Sequence, residues 1–264
     1  MISLDHVLEL VDTVDPSKLL LKGFLGPVAP TSNEQARSLL LEHKHSLVIN
    51  GAHALDERVA AICRELEDDP CLLVRSNIYW TWPGTWAYPL HWDTHDLVAH
   101  QIHGQKRWTL YEPVHEAPIR GQTLRSLGCA PPAEVREVVT MEPGSRLFVE
   151  RGVGHEVLTV GDEPSVHITF GFHRPTRRDL LKLAMEEALL AAEADVAWRS
   201  TELCDLPDAT SILAEALERQ MEHYRTLERP HHIVRDPLRG TMEVREGHPN
   251  QDSTPRETRP LTAP

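Results

Sequence analysis

Apolar residues in the first part of the chain recur mostly at helical spacing. After Ser32-Asn33-Glu34 the run Leu39-Leu40-Leu41 belongs to one helix. Leu55, Val59, Ile62, Cys63 and Leu66 mark the face of another, which stops before Asp68-Asp69-Pro70. Between them Leu47-Val48-Ile49 reads as a short buried strand. Residues 1–70 are therefore expected to form an N-terminal α/β layer, mainly helical, packed on a β-rich domain that begins near residue 71.

From Cys71 to His173 the texture changes to short strands set apart by turn residues. The strands expected are Leu72–Trp80, Leu90–Asp93, Leu97–His103, Arg107–Tyr111, Val135–Met141, Ser145–Glu150, Glu156–Val160 and Ser165–Phe172. Trp82-Pro83-Gly84, Gly104-Gln105, Glu142-Pro143-Gly144, Gly152-Val153-Gly154 and Gly161-Asp162-Glu163-Pro164 punctuate them. Such a series folds as a sandwich or barrel, not as alternating β-α-β units. The excursion Glu112–Glu134, with four prolines, is expected as a surface insertion between strands.

After Arg174-Pro175 the helical period returns. Thr176 and Asp179 make a capping pair for a helix running to about Trp198, carrying Leu180, Leu181, Leu183, Ala184, Ala188 and Leu189. Asp208 opens a second helix with Ile212, Leu213, Ala216, Leu217, Met221 and Tyr224. Residues 176–228 thus predict a helical hairpin, which either flanks the β domain or makes a homodimer. The stretch 229–264 is rich in Pro, Arg and Glu without apolar periodicity, and is expected to be a flexible tail. The fold class is mostly β with flanking helices.

Composition narrows the function. Among 264 residues, 27 Lys and Arg face 40 Asp and Glu, a formal charge of −13, which argues against general nucleic-acid binding. No apolar run approaches the roughly 18–20 residues needed to cross a bilayer. Met1 to His6 lacks the basic and apolar parts of a leader, so a cytoplasmic location and no membrane partner are expected. Cys63, Cys71, Cys129 and Cys204 are scattered without metal-site spacing and read as reduced thiols.

Chemistry concentrates at His91-Trp92-Asp93. In a strand, residues two apart share a face with Cα atoms roughly 6.6 Å apart, so an imidazole and a carboxylate can meet one ion. His155, presented after the Gly-rich bend Gly152-Val153-Gly154, offers a third ligand. Two histidines and one carboxylate leave positions open, the ligand pattern of non-haem Fe(II) oxygenases. A match to His-x-Asp among 16 histidines is weak by itself; the turn-strand setting of His155 strengthens it. His95, His100 and His103 lie nearby and read as rim, interior-polar and turn residues.

The runs Ser76-Asn77-Ile78-Tyr79, Trp82-Pro83-Gly84, His91 to Asp96 and Gln101 to Trp108 resemble the JmjC-type cupins. More narrowly they resemble the ribosomal-oxygenase branch, with its H-x-D-x-x-[DE] followed by Q-x-x-G-x-[KR]-x-W. Pro143-Gly144 through Gly152 and His155, then Ser165-Val166-His167-Ile168-Thr169, match in order and spacing, so the resemblance covers about 71–175. It implies a double-stranded β-helix (a jelly roll) with Fe(II) held by His91, Asp93 and His155, and with 2-oxoglutarate and O₂ as cosubstrates. Lys106 falls where the family places the cation for the distal carboxylate of 2-oxoglutarate. A buried dicarboxylate needs such a partner. Asn77 and Tyr79, of one parity, and Thr169 are expected to add hydrogen bonds to the cosubstrate. Trp80, Trp82, Trp86 and Tyr88 either form an aromatic entrance or pack the N-terminal layer on the barrel.

Two departures from the family pattern stand out. Glu150 precedes Arg151-Gly152 where the family often has Pro. The family's winged-helix domain, which comes after the helical segment, has no counterpart in the 229–264 stretch, and this leaves a ribosomal-protein substrate open. The expected activity is hydroxylation of an unactivated C–H bond in a peptide or protein side chain. The alternatives are a small-molecule hydroxylase acting on a free or carrier-bound amino acid, and a non-oxygenase metal cupin serving as a binding module or isomerase.

Overall fold

Ser3 accepts a hydrogen bond from His6 N and opens α1 (Leu4–Thr13), which buries His6, Val7, Leu10 and Val11. The computed structural model describes residues 2–193 apart from 24, 25, 70 and 86. Beyond these it describes 210–211, 214–215, 217–219, 222, 232–235 and 242–245. After α1 come β1 (Leu19–Gly23), β2 (Gly26–Val28), α2 (Asn33–Leu41), β3 (Ser46–Asn50) and α3 (Glu57–Leu66). Asn33 Nδ2 ties the start of α2 to the end of α1, donating to Val11 O and Val14 O at 2.7 Å each. Asp56 caps α3 by accepting from Val59 N.

The barrel strands keep close to their expected limits: β4 (Leu73–Thr81), β5 (Asp96–His103), β6 (Gln105–Tyr111), β7 (Val135–Met141), β8 (Arg146–Val149), β9 (Gly154–Val160) and β10 (Ser165–His173). A one-turn helix, α4 (Leu124–Leu127), lies in the excursion between β6 and β7. Seven strands form one antiparallel sheet in the order β2-β1-β3-β4-β10-β5-β8, and three form a second, β7-β6-β9. The N-terminal segment is thus more than a layer on the barrel, because β1, β2 and β3 extend the barrel's larger sheet.

The larger sheet is covered on one face by the N-terminal helices. There Leu21, Leu47, Ile78, Trp80, Val166 and Ile168 share a core with Val7, Leu40 and Val59. A second core, including Leu97, Trp108, Leu110, Met141 and Val149, belongs to the barrel side. Thr81 of β4 and Thr159 of β9 share a hydroxyl hydrogen bond of 2.7 Å that joins the two sheets. The tight turn from β5 to β6 needs Gly104: its φ is +61°, and a Cβ there would meet Pro164 O at 2.3 Å. Buried Gln101 clamps that turn, donating to His103 O (2.8 Å), Gly104 O (3.0 Å) and Ser165 Oγ (2.7 Å).

Met1–Arg174 is one compact unit and Pro175–Pro264 a second. In the second, α5 (Arg177–Ala192) starts at the expected cap: Thr176 N donates to Asp179 Oδ2 (3.0 Å) and Asp179 N to Thr176 Oγ1 (3.2 Å). The expected extension of α5 to Trp198 and most of the second hairpin helix lie outside the described residues. Within the stretch expected to be without structure, β11 (His232–Arg235) pairs antiparallel with β12 (Met242–Arg245). Their apolar residues, Ile233-Val234 and Met242 with Val244, favour pairing that the composition of the whole stretch hides. Among the described residues no helix is long and apolar enough to cross a membrane.

Candidate metal centre

The expected strand Leu90–Asp93 is corrected by the structure. Only His91 pairs, in an isolated antiparallel bridge with His155: His91 N donates to His155 O (3.2 Å) and His155 N to His91 O (2.7 Å). Pro89 has no N–H to extend a ladder, and residues 94–95 bend away. The segment is instead pinned to the Gly-rich bend. Gly152 N donates to Asp93 O (3.0 Å), and Arg151 N donates to the Asp96 carboxylate at 2.8 Å. The last acid of the H-x-D-x-x-D motif is therefore a clamp between the start of β5 and the Gly-rich bend.

These clamps bring His91, Asp93 and His155 together. One ligand atom from each lies within 4.8 Å of the others, and no second group of this kind occurs among the described residues. His155 Nε2 is 3.7 Å from Asp93 Oδ2. His91 Nδ1 is 2.8 Å from Pro89 O, and His155 Nδ1 is 3.1 Å from Val153 O. A carbonyl only accepts, so each Nδ1 carries the proton and each Nε2 keeps a lone pair for an ion. Burial pushes His155 down to about 4, helped by His91 and opposed by Asp93. It is therefore neutral, as a ligand must be, across the physiological range. The donor set fits a first-row divalent ion with open coordination positions.

The triad lines a cavity together with all four residues expected to meet a cosubstrate: Asn77, Tyr79, Lys106 and Thr169. Across the β4–β10 register Asn77 faces Thr169, and Tyr79 faces His167. Asn77 is partly committed elsewhere, its Oδ1 accepting from Gly51 N (2.9 Å) and its Nδ2 donating to Tyr79 OH (3.3 Å). Burial, with the nearby Asp93 charge, raises the Tyr79 phenol and keeps it protonated. Lys106 is 1% exposed, and burial lowers it well below the ordinary lysine range.

Of the flanking histidines, His95 lines the cavity with its ring 4.0 Å from that of His173. His100 is half-buried, and His103 lies 3.9 Å from Glu163. Among the proposed entrance aromatics, Tyr88 lines the cavity. Trp80 is buried in the N-terminal core, and Trp82 packs on that core with Nε1 donating to Leu40 O at 2.9 Å. Trp86 is outside the described residues. Among the wall residues that sequence reading missed are Trp108 and His167. Trp108 stacks on His155 with centroids 5.6 Å apart, and His167 stacks on Tyr79 at 4.8 Å. The signal for His167 was its parity with Thr169.

The JmjC domain profile matches residues 50–180. The Drosophila mojavensis bifunctional lysine-specific demethylase and histidyl-hydroxylase NO66 is 27% identical over 136 residues, 50% of this chain and 15% of that protein. Ribosomal oxygenase 1 of Danio rerio is 32% identical over 132 residues, 47% of this chain and 23% of that protein. The chain thus aligns with under a quarter of either relative. Among solved structures, the Escherichia coli ribosomal oxygenase YcfD is 20% identical with a TM-score of 0.54, covering 86% of this chain and 60% of that one. The same protein in complex with cobalt and 2-oxoglutarate gives 20% identity and a TM-score of 0.56, with the same coverage. This likeness shows the jelly-roll fold.

Proposed function

Because the chain carries a JmjC domain over residues 50–180, akin to those of the ribosomal oxygenases, we propose that it is an Fe(II)- and 2-oxoglutarate-dependent oxygenase. In this reading it hydroxylates an unactivated C–H bond of an amino-acid side chain in a peptide or protein. The overall conversion is C–H plus O₂ plus 2-oxoglutarate to C–OH plus succinate plus CO₂. The observation that carries the reading is the convergence of His91, Asp93 and His155, each histidine offering Nε2.

When bound, Fe(II) supplies the site for keto-acid chelation and dioxygen activation. The rest falls to the chain's own groups. His91, Asp93 and His155 would hold the ion through two imidazole nitrogens and a carboxylate, a ligand set that leaves positions for the cosubstrates. Lys106 supplies the cation for the far carboxylate of 2-oxoglutarate. Tyr79, whose buried phenol keeps its proton, supplies a hydroxyl donor in the same cavity. Trp108, stacked on His155, keeps that ligand in an apolar setting. The relatives named as histidyl-hydroxylase and ribosomal oxygenase favour a protein substrate over a small molecule.

Anaerobic addition of Fe(II) and 2-oxoglutarate should produce the weak visible metal-to-keto-acid charge-transfer band. Aerobic incubation with a peptide panel should give succinate and a gain of one oxygen mass. His91→Ala and Asp93→Ala should abolish the band and the succinate. Unchanged succinate in either variant would reject the triad, and oxygen gain on free amino acids alone would move the substrate to the small-molecule class.

A further inference from the structure

The segment 87–91 borders two cavities. Tyr88 and His91 line the one that holds the triad, Pro89 lines a second, groove-like one, and Ala87 lines both. The second is basic. Lys22, His43, Lys44, Ser46 and Thr85 line it, and among the described residues none of its lining side chains is acidic. In a chain with a formal charge of −13 this is a local reversal of sign.

The fold gathers these residues from separate elements. β1 sets Lys22 opposite Ser46, the first residue of β3. His43 and Lys44 lie in the turn between α2 and β3. His45 N donates to Leu39 O at 2.9 Å and closes that turn, leaving Lys44 at φ +52°, a conformation that favours glycine. Ser46 Oγ donates to Thr85 Oγ1 at 2.9 Å, and Thr85 Oγ1 donates to Trp82 O at 2.8 Å, which fastens the 82–85 turn to β3.

Neither ammonium meets a counter-charge. Lys22 Nζ donates to Ala87 O and sits 3.7 Å from the centre of the Tyr88 ring. Lys44 Nζ lies 5.5 Å from the centre of the Trp82 ring. Among the described residues neither lysine is in an ion pair, and Glu42, the acid nearest Lys44 in the chain, accepts from Ser38 Oγ at 2.7 Å. A carbonyl or an aromatic face attracts a cation but leaves its charge in place. Burial lowers Lys22 from the ordinary lysine range, the direction expected of a cation without a counter-charge. The partner that such a pair lacks is a carboxylate.

We propose that this groove seats an acidic residue of the peptide substrate, Asp or Glu, within about four residues of the one that is hydroxylated, and that Lys22 and Lys44 select for it. The spacing follows from the chain. Ala87 is four residues from His91, so their Cα atoms are at most about 14 Å apart, a span that an extended peptide covers in about four residues. This rests on the reading of the protein as a peptide oxygenase and adds the sequence context of its substrate.

The first test is binding. Fluorescence anisotropy with labelled hexaglutamate, hexaglutamine and hexathymidylate is read without oxygen on protein loaded with Fe(II) and 2-oxoglutarate. The wild type should bind hexaglutamate the tightest, with a preference that fades as salt is added. Lys44→Gly removes one ammonium at a φ that suits glycine, so the fold is kept; it should weaken hexaglutamate by about two- to fivefold. Lys44→Glu should weaken it further, and neither variant should change the charge-transfer band. Equal binding of hexaglutamate and hexaglutamine by the wild type, tighter binding of hexathymidylate, or an unchanged preference in Lys44→Glu overturns the proposal. The second test reads products. In a random peptide pool incubated with oxygen, peptides that gain one oxygen should be enriched in Asp or Glu within about four residues of the modified one, and Lys44→Glu should lose that enrichment. Oxygen gain without the bias also overturns the proposal. A wild type with no charge-transfer band overturns the oxygenase reading and with it the substrate assignment, whereas a hexaglutamate preference lost in Lys44→Glu would still establish the groove as an acidic-peptide site.

Discussion

Burial works against the charge of two side chains in the cavity, with opposite uses. His155 has a folded pKa of about 4, while an unfolded imidazole titrates near about 6.5. Between those values the unfolded chain binds the additional proton. The metal-free protein should therefore gain stability as pH climbs through that window and level off above it. Chemical unfolding midpoints across the window would check this, and His155→Gln should lessen the slope, the rest coming from other histidines that burial lowers, His95, His100 and His167. Lys106 is the costlier case, a fully buried lysine with only neutral contacts, which burial holds well below the ordinary range. Lys106→Met should stabilise the ligand-free protein by about 1 kcal/mol or more while removing 2-oxoglutarate binding, seen by melting curves beside keto-acid titration. The triad was legible because His-x-Asp and a histidine after a Gly-rich bend form a spaced pattern. His167 was not: in a chain of 16 histidines only its parity with Thr169 marks it, until the fold brings Lys106 to 2.6 Å.

At the scale of elements, the excursion between β6 and β7 is fastened to the His91–Asp93 segment. Trp92 is 4% exposed, donates from Nε1 to Gln122 O at 2.8 Å and stacks on His115 at 6.2 Å. Gly152, at φ +89°, leaves room for the same excursion, since a Cβ there would meet Pro118 Cδ at 2.8 Å. Trp92→Ala should cost about 3–5 kcal/mol and expose residues 112–134 to limited proteolysis, with weaker Fe(II) binding as the excursion lets go of the loop. The barrel strands were readable because turn residues bound them. Leu19-Leu20-Leu21 was not read as a strand: its burial alternates, with Leu20 half-buried between buried Leu19 and Leu21, but three leucines in a row show no alternation in the sequence. Leu90–Asp93 was over-read, since periodicity cannot reveal that its only pairing partner is His155.

Across the barrel unit as a whole, the larger sheet separates stability from chemistry. Leu47, fully buried against α1 and α2 residues, belongs to the face that holds the molecule together. Leu47→Ala should cost about 2–5 kcal/mol while Fe(II) and 2-oxoglutarate affinities of the folded protein stay unchanged, measurable by denaturant titration and the charge-transfer band. That β1 to β3 would join this sheet was hidden in the sequence, where only a packed layer was legible. β10 carries the division within one strand. Val166, Ile168 and Phe170 enter the helix-covered core, while His167 and Thr169 line the cavity. A single-residue insertion or deletion inside β10 would invert both sides together, aiming isoleucine at the keto acid and threonine at the helices. Random mutagenesis of this strand should accordingly return many tolerated exchanges at alternate positions and no surviving frameshifted register, so any natural retuning of cosubstrate choice here has had to proceed by replacement alone.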